Sequence, residues 1–351
     1  MKILHFSKFT TFLIVTLITI TLVSGQWEYQ QSCFYGENKV AVDGYGRTVL
    51  FPAYMWSSCT FLIKKNPGFC QIRLDFPSYT SSSANSAGDC DTDRLTVRNS
   101  VTVNDGFSTC GDLTGKHMYL SFGDNCDTIE ITPKFSTTSP FGYYNIEVTP
   151  IPCSSPDLVP TYCLQNYNTS TGVVTSFDYP KQQQNSQQYT ICVHSQKVED
   201  WKEISWKRCT SEDGFPGSSP FSMISSDVPP STCDTDWIAV NGDQPRCFNV
   251  PSNLRSTWKP FLINVNFDEM ELFPPIIDPE FATSAASCIG LRPKSGDLFV
   301  CAWFAEPSHV NSGTCQCDVS PVVPGFDPSV LFEPSPDVGN IGFCLKYEVQ
   351  T

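Results

Sequence analysis

Positive charge is scarce in this sequence. The chain of 351 residues has 22 Lys and Arg against 36 Asp and Glu, which gives a formal net charge of −14 with histidine neutral. Nucleic acids and anionic membranes are bound through basic patches, so this balance argues against both as partners. An acidic surface favours a basic partner instead, although part of the charge serves only to keep the surface solvated.

Long apolar runs are also missing. The apolar run near the N-terminus, from Phe12 to Val23, has about a dozen residues, well short of the roughly 20 that span a bilayer. Lys2 and Lys8 precede this run, and Ser24-Gly25 follow it. Positive charge, a short apolar core and small residues in this order predict a secretory signal peptide at residues 1–25. We therefore expect a secreted, extracellular protein without membrane insertion.

Histidine is rare, with four in the chain. The three that follow the signal segment, His117, His194 and His309, are isolated from one another in the sequence. The sequence has neither a His-Glu-x-x-His zinc motif nor a Gly-x-Ser-x-Gly nucleophile elbow. We therefore predict that the protein is not an enzyme. His117 stands at the head of an alternating segment, which predicts a surface or edge position.

Cysteine, in contrast, is abundant. The chain has 17 cysteines, all of them after the predicted signal peptide. A secreted chain oxidises its thiols, so these cysteines predict a disulfide framework. For the same reason we expect Cys315-Gln316-Cys317 to take part in two separate disulfides rather than in a metal site. The number is odd, so at least one cysteine is free or bonded to another chain, which makes a disulfide-linked oligomer a candidate assembly.

One octapeptide occurs twice. The segment Cys90–Val97, Cys-Asp-Thr-Asp-Arg-Leu-Thr-Val, returns at Cys233–Val240 as Cys-Asp-Thr-Asp-Trp-Ile-Ala-Val. Each copy lies between other cysteines in the same order, Cys33, Cys59 and Cys110 in the first half and Cys163, Cys192 and Cys247 in the second. Four cysteines in one order, twice, predict a duplicated module.

Apolar residues between these landmarks alternate with polar ones, which is the period of half-buried strands. The segments Cys70–Phe76, Tyr189–Val193 and Phe261–Phe267 are examples. Turn-forming clusters such as Asn104-Asp105-Gly106 separate the alternating runs, and no helical period is sustained after residue 25. Many short strands joined by turns predict an all-β sandwich or barrel.

The landmarks also predict the domain boundaries. We expect a first module at residues 26–153, a short Pro/Ser-containing linker at 154–162 and a second module at 163–351. A segment at about 268–338 is rich in proline and holds Cys288, Cys301, Cys315 and Cys317. We interpret this segment as an insertion between late strands, tied by disulfides. A separate small domain is the alternative.

The repeated motif resembles that of CUB domains, which are extracellular β-sandwich modules. The resemblance rests on Cys-x-x-Asp-x-Leu-x-Val at Cys90–Val97 and on Cys110-Gly111. Further segments are similar to two-module secreted CUB proteins of arthropods, namely Cys70–Phe76, Tyr144–Cys153, Cys163–Tyr167 and Gly342–Tyr347. The likeness is strong in the first half and weaker in the second, where Phe248 replaces a glycine. It implies two antiparallel, jelly-roll-like β-sandwiches in tandem.

The resemblance also implies disulfide pairs and a candidate metal site. The implied pairs are Cys33–Cys59, Cys90–Cys110, Cys163–Cys192 and Cys233–Cys247. Cys70 is left with either Cys126 or Cys153 as its partner. Some CUB domains bind calcium through three separated acids, and Asp227, Asp236 and Asp268 lie in comparable segments of the second half. The alternative is that Asp93 and Asp236 hydrogen-bond loop backbone beside the strand start.

Two further residues are candidate sites. Asn168 begins Asn168-Thr169-Ser170, the one Asn-x-Ser/Thr site with an allowed middle residue, and is a predicted glycosylation site. Trp237 takes the position of Arg94 in the repeat. Alternation places its side chain on the face opposite to Ile238 and Val240, so an exposed Trp237 is a candidate ligand contact.

We therefore expect a secreted binding or adhesion protein whose CUB-like modules contact an extracellular protein or glycan. One alternative is a structural component of matrix, cuticle or egg coat, crosslinked through the odd cysteine. A more distant one is a regulator of a protease cascade without a catalytic domain. No cofactor other than the candidate calcium ion is implied.

Overall fold

The computed structural model describes most of the chain between residues 39 and 269, together with the C-terminal strand. The described residues are 39–43, 45–50, 59–85, 87–123, 127–136, 142–194, 200–213, 233, 236–247, 254–269 and 340–351, and strand pairing is also described at 20–23, 26–33, 51–52, 221–222, 291–293 and 332–334. The predictions for Asp227, Phe248, His309, the side chain of Cys33, and Cys126, Cys288, Cys301, Cys315 and Cys317 lie outside the residues so described.

The first half forms two sheets. Its strands are β1 (Ile20–Val23), β2 (Gln26–Cys33), β3 (Lys39–Val42), β4 (Arg47–Pro52), β5 (Thr60–Lys64), β6 (Phe69–Thr80), β7 (Arg94–Arg98), β8 (Phe107–Thr109), β9 (His117–Ser121), β10 (Thr128–Lys134) and β11 (Tyr143–Pro152). Sheet 1 has the order β1-β2-β4-β11-β6-β9, and sheet 2 has the order β3-β5-β10-β7-β8. The strand β1 lies within the segment that the sequence predicts to be a signal peptide.

The second half forms two larger sheets, 3 and 4, and a separate sheet of two strands. Its strands are β12 (Cys163–Tyr167), β13 (Thr171–Thr175), β14 (Gln187–Val193), β15 (Glu203–Arg208), β16 (Phe221–Ser222), β17 (Trp237–Val240), β18 (Leu254–Ser256), β19 (Phe261–Phe267), β20 (Leu291–Pro293), β21 (Phe332–Pro334) and β22 (Gly342–Gln350). Sheet 3 has the order β12-β14-β19-β17. Sheet 4 has the order β13-β22-β15-β18, with β16 also on β22, and the separate sheet pairs β20 with β21. Among the described residues, the only helix is the 3₁₀ turn Ser211–Asp213.

The prediction of an all-β sandwich fold is confirmed. In β6, Ile72, Leu74 and Phe76 are almost fully buried, while Arg73 and Asp75 between them are half-buried. The ring of Phe61 on sheet 2 meets that of Tyr144 on sheet 1 with centroids 6.4 Å apart. Each sheet therefore turns its apolar face inward, and burial of these faces is the main stabilising term.

The second half is built in the same way. Phe267 of sheet 3 and Phe343 of sheet 4 have ring centroids 6.4 Å apart, and the buried rings of Trp206 and Tyr347 have centroids 5.6 Å apart. Pairing is antiparallel throughout most of both halves, but it is parallel between β2 and β4, β3 and β5, and β12 and β14. Parallel partners require a crossover, so these strands are not joined by a tight hairpin.

Disulfides tie both sandwiches. The bonds are Cys70–Cys153, Cys90–Cys110, Cys163–Cys192, Cys209–Cys344 and Cys233–Cys247. Of the two candidate partners of Cys70, the structure selects Cys153. Each bond stabilises the fold by about 2–4 kcal/mol, chiefly by restricting the unfolded chain. Cys59 is also disulfide-bonded, so all eleven cysteines with a described side chain are paired. The odd cysteine is therefore one of the others.

The segment between the two halves is held in place rather than loose. Gln71 of β6 donates from Nε2 to the Val159 carbonyl at 2.7 Å, and its Oε1 accepts from the Val159 N–H at 3.0 Å. Val159 also packs with Tyr119, Ile151 and Leu262 in a small apolar cluster. Since Leu262 belongs to sheet 3 and the others to the first half or the linker segment, this cluster fixes how the halves meet.

Candidate functional site

The outer face of sheet 3 carries two rows of uncharged side chains, set by the strand register. In one row, Gln188 of β14 lies opposite Asn266 of β19, which lies opposite Trp237 of β17. In the next row, Thr190 lies opposite Asn264. These residues alternate with buried ones such as Tyr189 and Val265, so their side chains point away from the core.

The outer face of sheet 3 is the floor of a groove, and residues of the first half form one of its walls. The turn at 101–104, between β7 and β8, stands beside sheet 3, and Asn104 Nδ2 donates to Gln188 Oε1 at 2.8 Å. Val101 at the turn is 57% exposed, and Tyr162, just before β12, is 44% exposed. Floor, turn and Tyr162 together enclose a shallow groove of about 360 Å³. We call it the junction groove.

Trp237 sits at the junction groove as a half-exposed ring, while Ile238 and Val240 on the opposite face are buried. The orientation expected from the repeat is therefore the one observed. Among the described residues that line the groove, none has a charged side chain. A tryptophan and a tyrosine beside carboxamides and a hydroxyl can stack on a ligand and exchange hydrogen bonds with it, but they offer no ionic contact.

The equivalent face in the first half is different. There β7 and β10 correspond to β17 and β19, and Arg94, at the position of Trp237, lies opposite Lys134. Further along the same face, Arg98 lies opposite Glu130, which forms an ion pair with Lys39 at 3.7 Å. That face is an ordinary charged surface. In the second half the positions of Arg94 and Lys134 are occupied by Trp237 and Asn266, an indole and an amide.

His117 corrects part of one expectation. It heads β9, the edge strand of sheet 1, which is one of the two expected positions, but it is not at the surface: its side chain is 9% exposed and lies at the junction between the halves. Its Nε2 is 2.9 Å from the Asn166 carbonyl oxygen and 3.1 Å from the Asn166 nitrogen, and its ring packs edge-on against those of Tyr119 and Tyr167. Burial, helped by the nearby charge of Arg73, lowers the pKa of His117 to about 4. The edge strand β9 is covered at His117 by Asn166 and Tyr167 of the second half.

Further polar contacts cross the junction. Gln184 accepts from Thr109 Oγ1 at 2.8 Å and donates to the Cys110 carbonyl at 2.8 Å. Asp178 accepts from the Asp112 N–H at 2.9 Å, and burial raises the pKa of Asp178. Lys116 donates to Thr175, and burial lowers its pKa to about 8. The titratable groups of the junction therefore hold the two halves together.

The candidate calcium residues have backbone partners. Asp93 accepts from the Ser82 N–H at 2.8 Å and from the Ser136 N–H at 2.7 Å. Asp236 accepts from the Asp268 N–H at 2.8 Å and from the amide of Gln183. This is the arrangement that the hydrogen-bond alternative predicts. In the described part of the chain, no group of three His, Cys, Asp or Glu is placed to hold a metal ion, and the calcium set stays a prediction.

The remaining candidates lie apart from the groove. Asn168 is exposed between β12 and β13, where an enzyme could reach it. Trp258, which the sequence analysis did not single out, is 66% exposed and packs over Gly242 without lining the groove. Within the described ranges, no helix is long and apolar enough to cross a membrane.

The solved CUB1-EGF-CUB2 domains of rat MASP-1 are similar to this chain, with 12% identity, 89% of this chain and 100% of that chain covered and a TM-score of 0.26. The same domains of human MASP-1/3 give 12%, 87%, 99% and 0.26. The full extracellular region of zebrafish Gpr126/Adgrg6 gives 13%, 60%, 23% and 0.27.

No curated protein sequence matches the chain. The family described as the animal CUB domain matches residues 160–350, which include all of sheets 3 and 4. The match therefore falls on the half in which the motif resemblance was weaker. It covers more than half of the sequence, and the chain belongs to the animal CUB domain family.

Proposed function

We propose that this chain is a secreted binding or adhesion protein that captures an extracellular protein or glycan at the junction groove. Its two CUB-like modules would be residues 26–153 and 163–351, joined by 154–162, in the tandem arrangement of the two-module proteins of arthropods. In support, each of sheets 1 to 4 draws its strands from one side of residues 154–162. CUB domains are in general extracellular interaction modules, which fits a function in binding rather than catalysis.

The observation that carries the proposal is the half-exposed Trp237 in an uncharged groove. An indole in contact with solvent forgoes part of the hydrophobic stabilisation that burial would give it. At the equivalent position of the first half the chain has Arg94, an ordinary surface residue. Large aromatic side chains with a polar surround are the residues that dominate binding energy at interfaces.

Secretion rests on the sequence together with the disulfides. The predicted signal peptide would direct the chain out of the cell, where disulfides form and persist. On the secretory route, the exposed Asn168 would be accessible to the enzymes that attach N-linked glycans.

The test is capture of extracellular proteins by the oxidised chain, with crosslinking and mass spectrometry of what is retained. We expect a saturable partner whose crosslinks cluster at the junction groove, and we expect Trp237→Ala to lose most of it. Trp258→Ala is the control, because it removes another indole, one that is more exposed than Trp237 and does not line the groove. Equal capture by both variants would contradict the assignment of the groove.

A different result would favour the structural alternative. If the chain retained only copies of itself, joined by bonds that a reductant breaks, the protein would be a crosslinked matrix component rather than a receptor-like one. The bonds would then have to involve a cysteine other than the eleven that are paired within the described residues.

A further inference from the structure

We propose that the ligand of the junction groove is a neutral saccharide. This inference rests on the proposed function, since it names the chemical class that the groove would select. It follows from three properties of the groove, namely its missing charge, its paired amides and its aromatic rings.

The missing charge argues against a peptide bound through its basic or acidic side chains. The chain carries a net charge of −14, so a basic partner would be attracted to its surface as a whole. Yet within the described lining of the groove no carboxylate is available to pair with a lysine or arginine, and no cation to pair with an acid. A charged ligand would lose water there without gaining an ionic contact. A neutral ligand has no such cost.

The amides match a ligand rich in hydroxyl groups. A carboxamide offers both a donor and an acceptor, and a sugar hydroxyl does the same, so each amide can serve one or two hydroxyls. Gln188 and Asn264 are exposed on neighbouring strands of the floor, and Asn104 is exposed on the wall. Thr190 Oγ1 donates to Asn264 Oδ1 at 2.9 Å, which fixes the orientation of that amide, and the Asn104–Gln188 bond does the same across the groove. The donors and acceptors are therefore held in place before a ligand arrives.

The rings supply the apolar part of the site. A pyranose ring has one face of C–H groups, and the electron-rich face of an indole or phenol attracts such hydrogens while excluding water. Trp237 stands at one end of the row that contains Asn266 and Gln188, and Tyr162 lies against the same groove. A volume of about 360 Å³ is near the lower end of ligand sites, which suits a short oligosaccharide.

The comparison between the halves supports the same conclusion. The fold of the second half does not require Asn266 and Trp237 on this face, because the first half has Lys134 and Arg94 at the equivalent positions. An amide and an indole in place of two cations are what a neutral hydroxylated ligand would favour.

The experiment uses the whole oxidised chain and a defined array of oligosaccharides. The neutral members end in galactose, mannose or N-acetylglucosamine, and the anionic members are sialylated or sulfated. We expect neutral members to be retained. We expect Trp237→Ala to weaken retention by at least about tenfold, the loss that truncation of a dominant contact gives. Trp258→Ala is expected to bind as the unaltered chain does.

Two substitutions at the exposed Asn264 separate a neutral ligand from a charged one. For a neutral saccharide, Asn264→Asp and Asn264→Lys both weaken binding, since each removes part of the amide contact. For a charged ligand the two substitutions act in opposite directions, because one attracts it and the other repels it. Opposite effects would overturn the proposal. Melting temperatures of all variants verify that each is folded, and Gln188→Ala is a second exposed floor variant if Trp237→Ala is not.

The outcomes also separate this inference from the proposed function. If only anionic glycans were retained, or if Trp237→Ala bound neutral glycans normally, the saccharide assignment would be wrong. If the array retained nothing while capture of a deglycosylated protein still depended on Trp237, the groove would be a protein site and the proposed function would survive. Loss of Trp237 dependence in both experiments would overturn both.

Discussion

At the scale of single residues, the same chemistry plays opposite parts in this protein according to burial. His117 and Lys116 are titratable groups with shifted pKa values, which in a cleft would suggest catalysis. Here they are enclosed at the junction and bonded to Asn166 and Thr175. Trp237, which has no titratable group, is left half-exposed in the junction groove. Whether a residue stabilises the junction or can contact a ligand therefore depends more on its position in the fold than on its type.

Stability should fall at mildly acidic pH because of His117. The pKa of this side chain is 6.5 in an unfolded chain and about 4 in the folded protein. As the pH drops below 6.5, the unfolded state binds the proton first, so the free energy of unfolding decreases down to about pH 4. The slope from one such group reaches about 1.4 kcal/mol per pH unit. Urea denaturation at a series of pH values measures it.

The variant His117→Gln isolates this effect. Between pH 5 and 6.5 we expect its stability to depend on pH much less than that of the unaltered chain. His194→Gln is the comparison variant. Burial lowers the pKa of His194, as it lowers that of His117, but His194 is the more exposed of the two. Parallel curves for His117→Gln and the unaltered chain would show that His117 is not the group responsible.

At the scale of strands, the sequence predicts what local alternation controls. The alternation in Cys70–Phe76 and Phe261–Phe267 identifies β6 and β19, and the repeat places Trp237 on an outer face. It does not predict the parallel pair β12–β14 or the row of Gln188, Asn266 and Trp237. Pairing between distant strands depends on register, which one strand's pattern does not contain. The burial of His117 was missed for a related reason, since its cover comes from Asn166 and Tyr167.

Asp236, which immediately precedes β17, should hold the neighbouring loop in place through hydrogen bonds. Asp236 is almost fully buried, and its carboxylate accepts from the Asp268 N–H and from Gln183. Asp236→Ala is expected to lower stability by about 2–4 kcal/mol, since bonds to a charged acceptor are lost and their donors are left unpaired. Thermal unfolding of the variant measures the loss.

The same measurement in calcium and in chelator tests the calcium alternative. If hydrogen bonding to Asp268 and Gln183 is the whole role of Asp236, the unaltered chain melts at the same temperature in both buffers. A melting temperature that rises with calcium and no longer does so in Asp236→Asn would show instead that this carboxylate is a ligand.

At the scale of the whole molecule, the junction makes one unit of two sandwiches. The apolar core is continuous from the first half to the second, and residues of both halves form its largest cluster. Gln71, Gln184 and His117 add hydrogen bonds that cross from the first half to the linker segment or the second half. The junction groove exists only while this packing holds, because its wall and its floor come from different halves. Binding and coupling between the halves are therefore linked.

Gly111 is the position at which that coupling can be broken most directly. Its φ of +82° favours glycine, and a Cβ there would lie 1.9 Å from the Asp178 carboxyl carbon across the junction. Gly115 has a similar φ of +78° but nothing within 4 Å of an added Cβ. Gly115→Ala therefore suffers backbone strain alone, about 1–2 kcal/mol, whereas Gly111→Ala also displaces the Asp178 carboxylate and breaks its bond to the Asp112 N–H across the junction.

Differential scanning calorimetry should distinguish the two glycine variants. The unaltered chain and Gly115→Ala are expected to unfold in one transition, since each sandwich is stabilised by the other through the shared core. Gly111→Ala is expected to split or broaden that transition and to weaken binding at the groove, while the five described disulfides keep each half folded. Two transitions in the unaltered chain would show that the halves are independent, and the groove would then be a contact rather than a preformed site.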